Sequence, residues 1–194
     1  MLEYLIEQIS NKSYEEFCRD NIFNPLNMKN TSFDISDFSE NRAKSYLCLG
    51  GLLTPIPDLN HFATAAGSMV TSIEDLSHYL IAHMNNGTYD GVRILKNETV
   101  ELMHTKQYPD DICNLIGYYY GLGWEIYPED WEWNGMVLQG HAGSMPGGAG
   151  EMLWDEASNL GILAFVNRRN SMNNYVELWC YNQIITELLK TIEK

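Results

Sequence analysis

The segment from Gln139 to Gly148 contains the densest group of residues whose types and spacing could do chemistry. It reads Gln-Gly-His-Ala-Gly-Ser-Met-Pro-Gly-Gly and follows an apolar stretch that predicts a strand over 136–139. Glycines let backbone N–H groups approach a ligand without a Cβ in the way. A histidine at a strand end beside such amides could pair with an anion or relay a proton. A tight hairpin with an incidental histidine fits the same letters, so the pattern alone leaves both interpretations open.

The order of the helices and strands predicted around this segment indicates an α+β fold. Helical spacing and capping residues predict four helices in the first half, at about 2–9, 13–22, 71–86 and 97–103. Residues 31–62 read as irregular, with Gly50-Gly51 and two prolines as breakers. Short strands are then expected over 118–127, 136–139, 150–154 and 161–167, and a closing helix over 174–192.

Composition limits the classes of partner. The 194 residues are 45% apolar and 20% charged, which is typical of a globular protein. A net charge of -14 would repel DNA, RNA and anionic lipid, so no nucleic-acid partner is predicted. The apolar runs are too short to span a bilayer, and no signal peptide precedes the first helix; the sequence leaves the compartment open.

Cysteine and histidine spacing predicts no metal site and no cofactor. Cys18, Cys48, Cys113 and Cys180 form no Cys-x-x-Cys pair and read as buried free thiols, although bridges between them stay open. The other histidines lack a ligand spacing such as His-Glu-x-x-His.

Five stretches, taken together, resemble the serine β-lactamase and penicillin-binding family, especially class C enzymes, DD-peptidases and related esterases. Tyr120-Gly121-Leu122-Gly123-Trp124 matches the family's Y-G-L-G-W, and Gly140-His141-Ala142-Gly143 looks like G-H-x-G followed by Pro-Gly. Similar segments occur in family order over 23–31, 65–76 and 154–167. The resemblance implies a β-lactamase/transpeptidase-like α+β fold, incomplete here: 1–194 would be one C-terminal portion, mostly helical and irregular to about 117, with antiparallel strands and a closing helix over about 118–194.

The resemblance also implies roles for particular residues. His141 would interact with a substrate carboxylate or the proton network, in a His-x-Gly motif completed by Gly143. The backbone N–H of Ser144 would be one half of an oxyanion hole. Tyr120, Ala142 and Gly147 would line the substrate groove. Ala142 replaces the family's usual hydroxyl residue, which removes one hydrogen bond to a substrate carboxylate.

The residues that perform the family's nucleophilic step are missing from these 194 residues. No serine stands three positions before any of the seven lysines, so there is no Ser-x-x-Lys, and no Tyr-x-Asn occurs. Ser171-Met172-Asn173 follows the His-Ala-Gly segment and reads as a loop coincidence. An unactivated serine is a poor nucleophile at neutral pH. The sequence therefore predicts a serine-hydrolase scaffold that is inactive alone.

Alternative functions and partners follow from this deficit. A non-catalytic module of the same fold could bind a peptidoglycan peptide, and a fragment could complement a separate N-terminal piece. In intact relatives, which are often exported or membrane-associated, the substrate is a small molecule or a peptide. The last strand is expected to have an open edge through which the chain could form a homodimer.

Overall fold

The computed structural model describes residues 1–38, 40–49, 51–57, 64–109, 117–128, 136–170 and 186–187. The chain divides into two units. Residues 1–43 and 57–97 form the first, and residues 44–56 and 98–194 form the second. The helix predicted over 174–192 lies outside the described residues, apart from 186–187.

The first unit begins with two predicted helices. Helix α1 spans Leu2–Ser10 and α2 spans Tyr14–Cys18, continuing as a π-helical turn over Arg19–Phe23. Ser13 caps α2 with a reciprocal capping box, because its side chain accepts from Glu16 N–H and the Glu16 side chain accepts from Ser13 N–H.

The apolar stripe of α1 is present but not buried. Leu2 and Ile9 are 72% and 85% exposed, and α1 contains no buried residue. The core of the unit is formed instead by the end of α2, the residues that follow it and α4, where five buried side chains pack together: Cys18, Phe23, Leu26, Met28 and Ala82.

Two further α-helices and a small hairpin lie in the described part of the first unit. A single turn, α3, covers Thr64–Gly67, and α4 spans Ile73–Met84 with Ser72 as its N-cap. The buried carboxylate of Asp75 at the start of α4 accepts from Asn30 N–H at 2.6 Å and from the Thr31 hydroxyl at 2.8 Å. These bonds fix the segment 30–31 on α4. Strands β3 (Thr88–Tyr89) and β4 (Val92–Arg93) form a small hairpin after α4.

The second unit contains a three-stranded sheet in a segment expected to be irregular. Strands β1 (Tyr46–Leu49) and β2 (Leu52–Pro55) pair antiparallel, and β10 (Arg168–Asn170) pairs parallel with β1. The irregular prediction was therefore wrong over 46–55. The overlooked signal is an apolar run on each side of a Gly-Gly pair, which favours a two-residue hairpin.

Helix α5 (Asn97–Met103) precedes the main, five-stranded antiparallel sheet. The sheet follows chain order, β5-β6-β7-β8-β9. Its strands are β5 (Tyr119–Tyr120), β6 (Glu125–Ile126), β7 (Leu138–Met145), β8 (Gly148–Asp155) and β9 (Leu160–Val166). The predicted α+β fold class is confirmed.

Two strand predictions need correction. The stretch 118–127 is not one strand but two short ones, because the chain turns between them: Gly121 N–H donates to the Trp124 carbonyl at 2.7 Å and Gly123 has φ +82°. The strand expected over 136–139 runs from Leu138 to Met145 instead. No helix among the described residues is long and apolar enough to cross a membrane.

Candidate active site

The glycine spacing predicted that the His-Ala-Gly-Ser segment lies at a strand end. The segment lies instead within strand β7. It pairs with β8 in continuous register, His141 opposite Met152 and Ser144 opposite Ala149. The glycines in this segment do not break the strand: a Cβ on Gly143 would meet nothing within 4 Å, and Gly140 lies so close to β8 that a Cβ would be 1.9 Å from the Met152 carbonyl oxygen. Small residues here permit close strand pairing.

The turn after β7 is the two-residue Pro146–Gly147 connection. Gly147 has φ +88°, and a Cβ there would lie 2.5 Å from the Ser45 Cβ. Proline followed by a residue of positive φ is typical of a type II turn, which requires glycine at the second position. Gly147 thus fixes the end of β7 and packs against the segment before β1.

The backbone of β7 has a defined phase. The Leu138 carbonyl accepts from Tyr127 N–H at 2.8 Å, so the polar groups of Leu138 face β6. Successive residues of a strand direct their N–H and C=O groups to opposite neighbouring strands. The N–H and C=O groups of Gly140, Ala142 and Ser144 therefore point to the same side of β7 as those of Leu138, the side of β6. The two-residue turn agrees, since it makes Met145 and Gly148 the closing pair of the β7–β8 ladder.

That phase leaves an open edge on β7. Strand β6 pairs only with Gln139 and Gly140, and none of the described strands pairs with β7 on that side beyond Gly140. The N–H and C=O groups of Ala142 and Ser144 are consequently directed at an edge that no described strand occupies. Such an edge can bind an extended ligand through main-chain hydrogen bonds.

His141 is held beside this edge by a tyrosine. The Tyr120 hydroxyl lies 2.8 Å from His141 Nε2, and the two rings meet edge to face with centroids 6.1 Å apart. Burial, followed by the nearby Glu125 carboxylate, raises the pKa of Tyr120. A phenol that stays protonated is a hydrogen-bond donor to the imidazole nitrogen.

A hydrogen bond between His104 and the side chain of Gln139 fixes the start of β7. His104 Nδ1 lies 2.7 Å from the Gln139 Oε1, which requires the imidazole Nδ1 to carry the proton. The His104 ring packs on Trp124, which is 1% exposed, and meets Trp154 edge-on. Burial lowers the pKa of His104, so the neutral ring is favoured.

Two carboxyl groups lie on the strands that flank β7 and were not singled out by sequence. Glu125 on β6 is opposite Gly140, and Glu151 on β8 is opposite Ala142. Both are buried, and Glu125 accepts a 2.5 Å hydrogen bond from Tyr127. Glu151 Oε2 has no hydrogen-bond partner among the described residues, and burial together with the charge of Glu125 raises the pKa of Glu151 to about 7.

The sequence-predicted site residues are brought together as follows. His141, Ala142, Gly143 and Ser144 are consecutive on β7, and Tyr120 reaches them through His141. Gly147 lies beyond the strand, in the turn. Glutamates at inward-facing positions of strands are the signal by which Glu125 and Glu151 could have been found, because a buried carboxyl group is uncommon. The predicted groove-wall residues Trp131 and Trp133 lie outside the described residues.

The edge offers backbone N–H donors and the imidazole of His141, which can carry a proton. It does not offer an activated serine hydroxyl. Ser144 is exposed, and no hydrogen bond joins its hydroxyl to a base among the described residues. The same part of the chain contains no group of three or more His, Cys, Asp or Glu that could hold a metal ion.

The described residues form a five-stranded antiparallel sheet, and its His-x-Gly strand has an open edge beyond Gly140. This arrangement is the one expected of the β-lactamase/transpeptidase-like fold. The β-lactamase family model matches residues 1–183, and the chain therefore belongs to the β-lactamase family. A comparison with curated proteins gave no match.

Solved structures agree with this assignment. The octameric penicillin-binding protein homologue from Pyrococcus abyssi has a TM-score of 0.72 at 29% identity, over 86% of this chain and 36% of that one. A D-amino acid amidase from Ochrobactrum anthropi SV3 has a TM-score of 0.72 at 22% identity, over 98% and 54%. A class C β-lactamase from Rhodobacter sphaeroides has a TM-score of 0.72 at 18% identity, over 97% and 58%. The chain thus spans roughly a third to three fifths of the length of these proteins.

Proposed function

We propose that this chain supplies the substrate-binding edge of an acyl-transfer site, and that the 194 residues alone form no acyl-enzyme. One observation carries the proposal: the phase of β7 directs the backbone groups of Ala142 and Ser144 at an open edge beside His141. An acyl group laid along this edge would place its carbonyl oxygen near the Ser144 N–H.

Each edge residue has a role in this proposal. The Ser144 N–H is one oxyanion-hole donor, and removing such a donor costs about 3 kcal/mol of transition-state stabilisation. His141, whose Nε2 is bonded to the Tyr120 hydroxyl, relays a proton. Gly143 keeps the edge free of side-chain bulk, and Ala142 adds no hydrogen-bonding side chain.

The nucleophile is the missing part of this site. The 194 residues contain no Ser-x-x-Lys and no Tyr-x-Asn. Nucleophile and base act as a unit, so a site without both loses most of its rate enhancement. Ser144 is a poor substitute because its proposed contribution uses the backbone, while its hydroxyl has no base.

The relatives suggest the range of substrates. They include a penicillin-binding protein homologue, a D-amino acid amidase and a class C β-lactamase. We propose that the edge receives an acyl compound of this range, an amide, ester or β-lactam, as a small molecule or a peptide. Self-association through the edge of β9 stays a prediction for this chain.

Intact-mass spectrometry tests the proposal. The purified chain is incubated separately with benzylpenicillin and with a fluorophosphonate, and both are expected to leave the mass unchanged. A stoichiometric adduct would contradict the proposal, and Ser144→Ala and Ser68→Ala would show which serine carries it. Saturable binding of penicillin without an adduct or turnover would instead favour the non-catalytic binding module, because the edge would then be functional without a nucleophile.

A further inference from the structure

Three tyrosine rings form one surface beside the open edge of β7. The rings of Tyr108 and Tyr120 are nearly parallel, with centroids 6.5 Å apart and an interplanar angle of 12°. The Tyr118 ring is tilted against Tyr120 at 6.3 Å. All three residues are partly exposed. We call Tyr108, Tyr118 and Tyr120 the tyrosine surface, and its link to the edge is the bond from Tyr120 to His141.

A carboxylate lies behind this surface. Glu125 is the cross-strand partner of Tyr120 in the β5–β6 register, so both side chains point to the same face of the sheet. The charge of Glu125 contributes to raised pKa values of Tyr118, Tyr120 and Tyr127, after burial in each case. The register therefore places a carboxylate next to the tyrosine surface, on the same face of the sheet.

The positive charge of Lys106 lies on the other face of the sheet. Lys106 Nζ lies 4.3 Å from the centroid of the Tyr119 ring, and Tyr119 alternates with Tyr118 and Tyr120 along the chain, which directs it to the other face. This contact shows that a tyrosine of this strand already binds an ammonium group through its ring face. At the edge itself, Ala142 offers no hydroxyl to a carboxylate, and His141 Nε2 is occupied by Tyr120.

We propose that the tyrosine surface and Glu125 form a subsite for an ammonium group, so that the β7 edge prefers substrates bearing a positive charge to those bearing a carboxylate. The inference rests on the proposed function, since it names the substrate class of the same edge. Electron-rich ring faces attract a cation, and the Glu125 carboxylate adds attraction for a cation and repulsion for an anion.

Three small probes with the same ring separate these charges. Phenethylammonium is cationic, phenylacetamide is neutral and phenylacetate is anionic, and backbone amide shifts of the labelled chain report where each one binds. We expect phenethylammonium to bind at least about tenfold more tightly than phenylacetate, which is the scale of one cation–π contact plus one charge repulsion. The shifts should include Ala142 and Ser144, because the subsite adjoins the edge.

Two variants and a control locate the preference. Tyr108→Leu removes one ring, and Glu125→Gln removes the charge; each is expected to reduce the preference for the cation at least about threefold. Glu156→Gln makes the same charge change at an exposed turn residue and should leave the preference unchanged. If Glu125→Gln unfolds the chain, Tyr108→Leu alone decides.

The outcomes separate this inference from the proposed function. Equal or tighter binding of phenylacetate, with shifts at Ala142 and Ser144, would overturn the ammonium subsite and leave the substrate-binding edge intact. Cation binding without shifts at Ala142 and Ser144, or no binding by any probe, would also overturn the inference. A serine adduct in the mass experiment would contradict the proposed function whichever probe binds.

Discussion

Unfolding of the chain in urea is expected to require less free energy at pH 8 than at pH 5, and Glu151 is the residue expected to cause the difference. The residue is 6% exposed, and no group in the described part of the chain hydrogen-bonds to its Oε2. The cross-strand neighbours of Glu151 on β7 and β9 are Ala142 and Ala164. Their methyl side chains offer neither a hydrogen-bond donor nor a positive charge. An ionised carboxylate in this setting is unfavourable.

The other titratable groups facing Glu151 strengthen the effect. Glu125, two strands away, repels a second negative charge, and Tyr127 interacts electrostatically with Glu151. Asp155 lies further along the same face of β8 and is bonded by Ser158. Burial first, and Glu125 second, raise the pKa of Glu151 from 4.5 to about 7.

The sign follows from proton binding. Between pH 4.5 and 7 the folded chain holds the Glu151 proton more tightly than the unfolded chain, so stability falls as pH rises through this window and then levels off. A shift of this size corresponds to at most about 3 kcal/mol. Carboxyl groups with lowered pKa values, such as Glu16 and Asp34, act with the opposite sign at more acid pH. The buried imidazole of His104, whose pKa is also lowered, acts with the opposite sign below its usual pKa of 6.5, so the Glu151 contribution is read from the variant and not from the total.

Matched variants isolate Glu151. Glu151→Gln should flatten the decline between pH 5 and 8, since the amide has no proton to lose, whereas Glu156→Gln in the exposed turn should leave the decline intact. Unfolding free energies from urea titrations at four pH values give the comparison. A decline that survives unchanged in Glu151→Gln would show that Glu151 is not its source.

Proline substitutions on β7 are expected to differ sharply between adjacent residues. The phase of the strand directs the Gly143 N–H at β8, so Gly143→Pro removes a ladder hydrogen bond and should cost about 3 kcal/mol or more. The Ser144 N–H faces the open edge, so Ser144→Pro removes no bond of the ladder and should cost about 1 kcal/mol or less.

Two further results frame this comparison. Gly143→Ala is the control for losing glycine, because a Cβ there meets nothing within 4 Å, and it should be nearly neutral. Thermal unfolding midpoints of the three variants give the order. Equal losses in Gly143→Pro and Ser144→Pro would contradict the described phase, and a larger loss in the second would indicate the reverse phase.

Local sequence signals were sufficient to predict much of the fold. Capping residues and helical spacing identified α1, α2, α4 and α5, because these signals depend on neighbouring positions. The Y-G-L-G-W and G-H-x-G stretches placed Tyr120 and His141 in one site, and the structure joins them by a 2.8 Å contact. The hairpin of β1 and β2 was missed because its glycines were read as breakers alone.

Features that depend on strand pairing were not predictable from the sequence. The glycines around His141 suggested a turn, but they belong to a strand because Gly140 must fit against the Met152 carbonyl. Glu125 and Glu151 are 26 residues apart in sequence, and only the register across β7 brings their charges together. The direction of each N–H along β7 likewise depends on which partner strand it bonds.

Hydrogen exchange of individual β7 amides tests the central claim most directly, because the proposed binding edge exists only if alternate N–H groups are free. In the chain without ligand, the amides of His141 and Gly143 are expected to exchange slowly, and those of Ala142 and Ser144 rapidly. The opposite alternation, or protection of all four amides, would contradict the account.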